Sequence, residues 1–454
     1  MNLTTVVFIL VYVAMAAGHL PGFRLGRPGS ALVGAMILIV SGNITPSAAW
    51  QAIDYRTICL LFGLMVVSAA FMVAGFYHWV ATKVGSLPLG PKTLLAVMIV
   101  VSGAMAALLN KDVVAVAMTP ILCSICMERR LNPVPFLLGF CFAANFASAA
   151  TLIGSPQNMI VAEALHLSFI GFLRAAAPPA LLGLPIAWIV LVLFYRGRWQ
   201  LTDAATPLKS PSASAVSASL KHGAPAVKGS VQGDTPQAYP AGTTTSPPAE
   251  ALRSDASPEL NLGETIKAIC VTAAILIAFI VTDWPHMLIA LGGASFLLIS
   301  RRVASRDLLH HVDGDLLLLL FGLFVVNAAM MTTGLPQEVL ASLRDIGLDL
   351  QDPISMLLIM AVLSNVVGNN PAVMLVVPFI SGASQPEPLG AAIVLGTALS
   401  SGAVIFGSLV GIIVAEECSR RGIKMSFLEF ARAGLPCSIL CLLLAAAWVF
   451  HLSH

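Results

Sequence analysis

DYRTICLLFGLMVVSAAFMVAG, residues 54–75, reads without a gap onto DGDLLLLLFGLFVVNAAMMTTG, residues 313–334. The two stretches share the opening Asp, a Leu-Phe-Gly-Leu core, Val-Val, Ala-Ala, a Met and the closing Gly. Three more pairs follow in the same order: DVVAVAMTP (112–120) with NPAVMLVVP (370–378), ATLIGSPQNMIVAE (150–163) with AVIFGSLVGIIVAE (403–416), and SFIGFLRAAAP (168–178) with SFLEFARAGLP (426–436). Matches in one order along both halves indicate an internal duplication.

Of the 454 residues, 58% are hydrophobic and 10% charged, against about 25% charged in soluble domains. The apolar runs, roughly 20 residues or more, suit helices crossing about 30 Å of hydrocarbon rather than short alternating barrel strands. The class is therefore an all-α polytopic membrane protein. The first apolar run, from Met1, has no basic residue before it and no clear cleavage site, so it reads as a span and not a removable signal peptide. A net charge of +2 gives no indication of nucleic acid. Cys123 and Cys126 share a helix face, but no second Cys or His pair accompanies them, so the eight cysteines read as buried free thiols with no metal.

Between 200 and 262 the sequence turns to Ser, Ala, Pro, Thr and Gly, a composition that cannot offset its chain entropy by burial. It divides a first membrane repeat (1–199) from a second (263–454) and is expected to be a disordered cytoplasmic linker. Each half is expected to hold about five transmembrane helices and one re-entrant hairpin, at about 93–127 and 353–380. With three spans before each hairpin and two after, twelve basic residues (Arg24, Arg27, Lys83, Lys92, Arg129, Arg130, Arg301, Arg302, Arg306, Arg420, Arg421, Lys424) fall in cytoplasmic loops and two (Arg56, Arg344) outside. By the positive-inside rule the two repeats then have inverted topology.

Inverted repeats with interrupted helices belong to secondary transporters, whose sites form at the midplane where broken helix ends free backbone groups. Gly154, Ser155, Pro156, Gln157 and Asn158 are expected to unwind a span there, with Gly407 and Ser408 as partners in the second half; a simple Pro kink is the alternative. Thr151, Ser155 and Asn158 are candidates to face a ligand, and free N–H groups at a half-helix start favour an anion. The hairpin tips hold Asn110, Lys111 and Asp112, and Ser364, Asn365, Asn369 and Asn370. Ionisable residues at membrane depth mark function by default, although Lys111 and Asp112 snorkelling from a shallow hairpin is the other reading. Glu163 and Glu416 occupy equivalent positions near span ends, where an interfacial carboxylate is ordinary, and Arg174 and Arg432 read as interfacial anchors.

TLIGSPQN, LNKDVVAVAMTP and SNVVGNNPAVMLVVP together resemble the unwound helix and two re-entrant hairpins of the ion transporter superfamily. That group contains divalent-anion:sodium symporters, citrate carriers, arsenite permeases and one class of sodium/proton antiporters. The resemblance implies unwound helices at the midplane, a scaffold carrying a moving transport domain, and a homodimer. It implies that Asn110, Asp112, Ser364, Asn365, Asn369 and Asn370 coordinate or gate ions, and that Thr151, Gly154, Ser155, Pro156, Asn158, Gly407 and Ser408 complete the site. Sodium-coupled dicarboxylate carriers typically show Ser-Asn-Thr at both tips and a Thr-Pro-Pro type sequence in the second unwound span. Here the tips read Asn-Lys-Asp and Gly-Asn-Asn-Pro and the span reads Gly-Ser-Leu-Val, nearer the arsenite-permease and anion-permease side.

The expected function is a symporter or permease that moves a small anion, a dicarboxylate or an inorganic oxyanion, by alternating access. A proton or sodium gradient drives it, with Asp112 binding the coupling ion or proton and Lys111 either complementing the anion or simply neutralising Asp112. A sodium/proton antiporter of the same superfamily is the alternative. An enzyme is not expected, since no HExxH, clustered Ser/His pair or phosphate-binding loop appears. No cofactor beyond transported Na+ or H+ is expected, and the expected location is a bacterial cytoplasmic membrane.

Overall fold

Asp54 and Asp313, the first residues of the duplicated stretch, each cap a helix. The carboxylate of Asp54 accepts from Arg56 N at 3.0 Å at the start of Tyr55–Val73, and that of Asp313 accepts from Leu316 N at 2.9 Å at the start of Gly314–Met331. A short acceptor at this position satisfies one of the donors a helix start leaves free. Ser168 and Ser426 do the same for Phe169–Phe194 and Phe427–Ser453, so the sequence repeat is a repeat of helix starts.

The computed structural model describes residues 2–20, 22–200, 260–345, 347–380, 382–423 and 425–454, without the side chain of Phe406. The expected linker lies outside the described residues over 201–259, while its outermost positions join the fold: Gln200 pairs with Leu131 and Leu262 opens a helix. Among the described residues all extended secondary structure is helical. The first half runs Leu3–Ala17, Arg27–Val40, Tyr55–Val73, the hairpin Pro91–Leu108/Lys111–Glu128, the interrupted helix Pro133–Ser148/Pro156–Ala164, and Phe169–Phe194. The second runs Leu262–Val281, His286–Leu298, Gly314–Met331, the hairpin Pro353–Val367/Asn369–Ile380, the interrupted helix Pro386–Ser400/Leu409–Arg420, and Phe427–Ser453. Short helices Phe76–Gly85 and Leu335–Asp345, absent from the sequence reading, lead into the hairpins.

The halves interlock by exchanging partners. Tyr55–Val73 packs on His286–Leu298 of the other half, and Gly314–Met331 packs on Arg27–Val40. Likewise Lys111–Glu128 packs on Leu409–Arg420 and Asn369–Ile380 on Pro156–Ala164. The Gly of the Leu-Phe-Gly-Leu core makes the first exchange possible. A Cβ on Gly63 would stand 2.8 Å from the backbone carbon of Ala290, and one on Gly322 2.5 Å from that of Ala31. Small residues let two helix backbones touch, which is how apolar helices associate where lipid removes the hydrophobic drive.

The interrupted helices lie at the centre. Every residue of Pro133–Ser148 is buried, as are all of Pro386–Ser400 from Leu389 onward. A helix apolar and buried all round is a core element, and only in such surroundings can a membrane protein leave backbone unwound. Prolines inside other helices free further carbonyls, and side chains take them up. Pro179 leaves Ala175 O to the Trp448 indole at 2.9 Å, and Pro378 leaves Met374 O to Asn327 Nδ2 at 2.7 Å, while Tyr12 donates to Asn327 Oδ1 at 3.0 Å.

Gly63→Val and Gly322→Val are each expected to lower stability by about 1–3 kcal/mol through overpacking, whereas Gly292→Ala, with nothing within 4 Å of the new Cβ, leaves it unchanged. Unfolding of the three variants in detergent checks this. A large loss for one of the two valines and none for the other would contradict the exchanged packing.

Candidate functional site

The first interrupted helix stops at Ser148 and restarts at Pro156, with a single turn, Leu152–Gly154, between. The unwound stretch is thus 149–155 and not 154–158. Pro156 sits at the first helical position, where its missing N–H costs nothing, so Gln157 and Asn158 are already helical. Asn158 donates to Ser148 O and Thr151 O, both at 2.7 Å, and Thr151 Oγ1 donates to Ala107 O on the first hairpin. Gly154 lies against the carbonyls of Ser148 and Ala106. These four residues therefore satisfy or accommodate the break itself. Ser155, extended and fully buried, leaves its hydroxyl without a partner. In the second half Ser408 Oγ accepts from Gly411 N at 3.2 Å, and Gly407 lies against the Asn365 amide.

At the first hairpin tip Asn110 caps the return helix, accepting from Asp112 N at 2.9 Å, while its own N–H donates to Ser68 Oγ at 3.0 Å. Lys111 does not snorkel: it is 3% exposed and donates to Asn145 Oδ1 at 3.3 Å. Asn145 in turn donates to Ser408 Oγ at 3.0 Å, so one amide ties the first tip to the second break. No ion pair joins Lys111 to Asp112 among the described residues, and Asp112 Oδ1 is buried without a partner. At the second tip Gly368, at φ 92°, makes the turn that an L side chain resists. Ser364 Oγ meets Ser400 Oγ at 3.1 Å, Asn365 donates to Ala361 O at 2.8 Å, and Asn369 Nδ2 donates to Ser401 Oγ at 3.1 Å. Asn370, aligned with Asp112 in the repeat, has an unpartnered Oδ1 as well.

A cavity of about 290 Å³ collects Lys111, Asp112, Ser155, Asn369, Asn370 and Ser408 from the expected set. Asn110, Thr151, Gly154, Pro156, Asn158, Ser364, Asn365 and Gly407 do not line it; they shape the backbone around it. These lining residues are the caps or first residues of four half-helices, beginning at Lys111, Pro156, Asn369 and Leu409, so four helix N-termini converge on one space. Such ends carry free N–H groups and the positive end of the helix dipole. Arg27, Gln157, Asp313 and Asp315 join the lining. Two cations, Arg27 and Lys111, thus face three carboxylates, Asp112, Asp313 and Asp315, for a formal charge of −1.

The sequence reading placed Arg27 among the charges that set orientation and took Asp313 only as a mark of duplication. Asn145 was not singled out, although a lone amide in GFCFAANFAS is a signal in so apolar a run. The eight cysteines are free thiols.

The sequence model described as Citrate transporter (CitMHS) matches residues 6–396. A 46 kDa membrane protein of Mycobacterium leprae is 24% identical over 457 residues, covering 98% of this chain and 97% of that one. The silicon efflux transporter LSI3 of Oryza sativa subsp. japonica is 32% identical over 199 residues, 44% of this chain and 40% of the relative. Among solved structures, the Alcanivorax borkumensis YdaH transporter, described as having an unusual topology, aligns over 99% of this chain and 98% of its own with a TM-score of 0.50 at 15% identity, a likeness of fold.

Asn158→Leu, close in volume, strips two buried carbonyls of their donor and is expected to cost about 2–4 kcal/mol. Detergent unfolding of the variant measures it; wild-type stability would show that Asn158 serves a ligand rather than the break.

Proposed function

The chain belongs to the citrate transporter family CitMHS, and on that premise we propose that it is a secondary active transporter that carries a small anion through the central cavity with a proton or a sodium ion. Membership makes it a multi-pass membrane transporter of the anion and citrate type; substrate, coupling and mechanism are the proposal. The observation that carries it is the convergence of four half-helix N-termini with Lys111 and Arg27 on one cavity, an arrangement suited to an anion. The cavity suits a carboxylate such as citrate. The name of the rice relative, a silicon efflux transporter, speaks for an inorganic oxyacid as a second substrate class.

Coupling follows from the charge of the cavity. At a formal −1 it repels an anion until a cation neutralises it, because like charges at a few ångströms in a low dielectric cost several kcal/mol. Asp112 Oδ1, Asn370 Oδ1 and Ser155 Oγ, all buried and unpartnered, are oxygens free for that cation, and a proton on Asp112 serves equally. Cation binding then precedes anion binding, and neither travels well alone. Asn110, Thr151, Gly154, Pro156, Asn158, Ser364, Asn365 and Gly407 hold the geometry in which these groups meet.

In this proposal the interrupted helices and hairpins move as one body against the Gly-on-Ala crossings. The exchanged packing of the halves and the twelve-to-two distribution of basic residues support inverted topology. A bacterial cytoplasmic membrane and a homodimer complete the reading.

Purified protein in vesicles with an imposed pH or sodium gradient is expected to accumulate labelled citrate or arsenite uphill, and Asp112→Asn is expected to abolish accumulation while sparing anion exchange. Sodium-dependent proton flux with no anion present would instead establish the antiporter.

A further inference from the structure

Beside the central cavity lies a larger one of about 910 Å³, reached past the end of the first helix, with Asn365 and Val404 in its wall. Arg27, Pro28 and Leu409 line both, so Arg27 borders the two cavities. Its Nε donates to Met15 O at 2.9 Å. Among the described residues its two terminal nitrogens have no hydrogen-bond partner, and no carboxylate forms an ion pair with it. Arg27 is also the first residue of its helix, where the dipole disfavours a cation. The half-buried guanidinium shares its cavity with Asp112, Asp313 and Asp315 but forms an ion pair with none of them.

The repeat shows what the position is for. The offset of 259 positions that takes Gly63 to Gly322 and Ala31 to Ala290 takes Arg27 to His286, likewise the first residue of its helix. His286 lines a separate polar cavity of about 390 Å³ together with Glu163 and Phe169, the repeat mate of Phe427 beside Arg27. There the position has a carboxylate: His286 Nδ1 lies 3.4 Å from Glu163 Oε1. Glu416, the mate of Glu163, turns away to Arg420 at 2.7 Å and leaves Arg27 open. One position thus occurs twice, once holding a carboxylate and once without.

We propose that Arg27 is an outer docking site for the carboxylate or oxyanion group of the transported anion, occupied on the way to the central cavity, and that its mate at His286 is shut by the Glu163 side chain standing in for that anion. The fork of terminal nitrogens suits two anion oxygens at once. The inference rests on the anion reading of the central cavity and adds to it a first stop and a residue that selects for negative charge.

The test is binding of citrate, succinate and arsenate to the detergent-solubilised full chain by calorimetry, in sodium buffer at mildly acidic pH so that either coupling cation is supplied, in wild type, Arg27→Gln and Arg27→Lys. At least one of these anions is expected to bind about tenfold more weakly to Arg27→Gln, a difference typical of losing one charge-assisted pair, with Arg27→Lys in between and the unfolding midpoints unchanged. On the wild-type chain, whichever of these anions binds is expected to protect Arg27 from phenylglyoxal, read by mass spectrometry, which needs no variant to fold. Equal affinities in wild type and Arg27→Gln for every anion that binds, or equal modification with and without such an anion, overturn the docking site alone. Binding of none of the anions to wild type overturns the anion reading of the cavity together with it.

Discussion

The contact of two helix backbones at Gly63 with Ala290, and its repeat at Gly322 with Ala31, is the constraint on which the rest of the structure depends. Each brings the third long helix of one half onto the second helix of the other, and the pair of crossings relates the halves by exchange of partners. With the frame held that way, the hairpins and interrupted helices pack inside it, each hairpin's return helix against the other half's interrupted helix. A side chain at any of the four crossing positions larger than those present would separate the backbones and loosen both exchanges.

Inside this frame the unwound backbone is the expensive element, and the sequence supplies a donor for the carbonyls it exposes. Asn158 covers Ser148 and Thr151, Thr151 covers Ala107, and Asn327 covers the carbonyl that Pro378 frees. Carbonyls are thereby bonded back into the protein, whereas the starts of four half-helices, two of them capped by Asn110 and Ser408, face the cavity. The helix dipoles of those ends favour negative charge at the cavity, against the formal −1 of its side chains. The unpartnered oxygens of Asp112, Asn370 and Ser155 supply the opposite preference at the same place, which is the condition for binding an anion and a cation together.

Charge placement breaks the symmetry that packing preserves. Lys111 and Asn369 are repeat mates and each bonds to the neighbouring interrupted helix, at Asn145 and Ser401, but only one is a cation. Asp112 and Asn370 differ in the same way, and so do Arg27 and His286. A duplicated fold with unequal side chains keeps the packing of both halves while giving equivalent positions different charge.

Class, duplication, breaks and hairpin tips were legible in the sequence, because each rests on local chemistry: apolar length, Gly and Pro, caps at Asp54, Asp313, Ser168 and Ser426. The four stretches that align in sequence are the same elements in space. What the sequence did not disclose is which polar groups serve the backbone and which face the cavity. Asn158 and Ser155 stand three residues apart and divide between those roles. Asn145 and Ser408 are 263 positions apart, and Tyr12 and Asn327 are 315 apart, yet each pair shares a hydrogen bond. Such pairings depend on how distant helices cross, so only the tertiary structure decided that Arg27, Asp313 and Gln157 join the site while Thr151 and Asn110 support it.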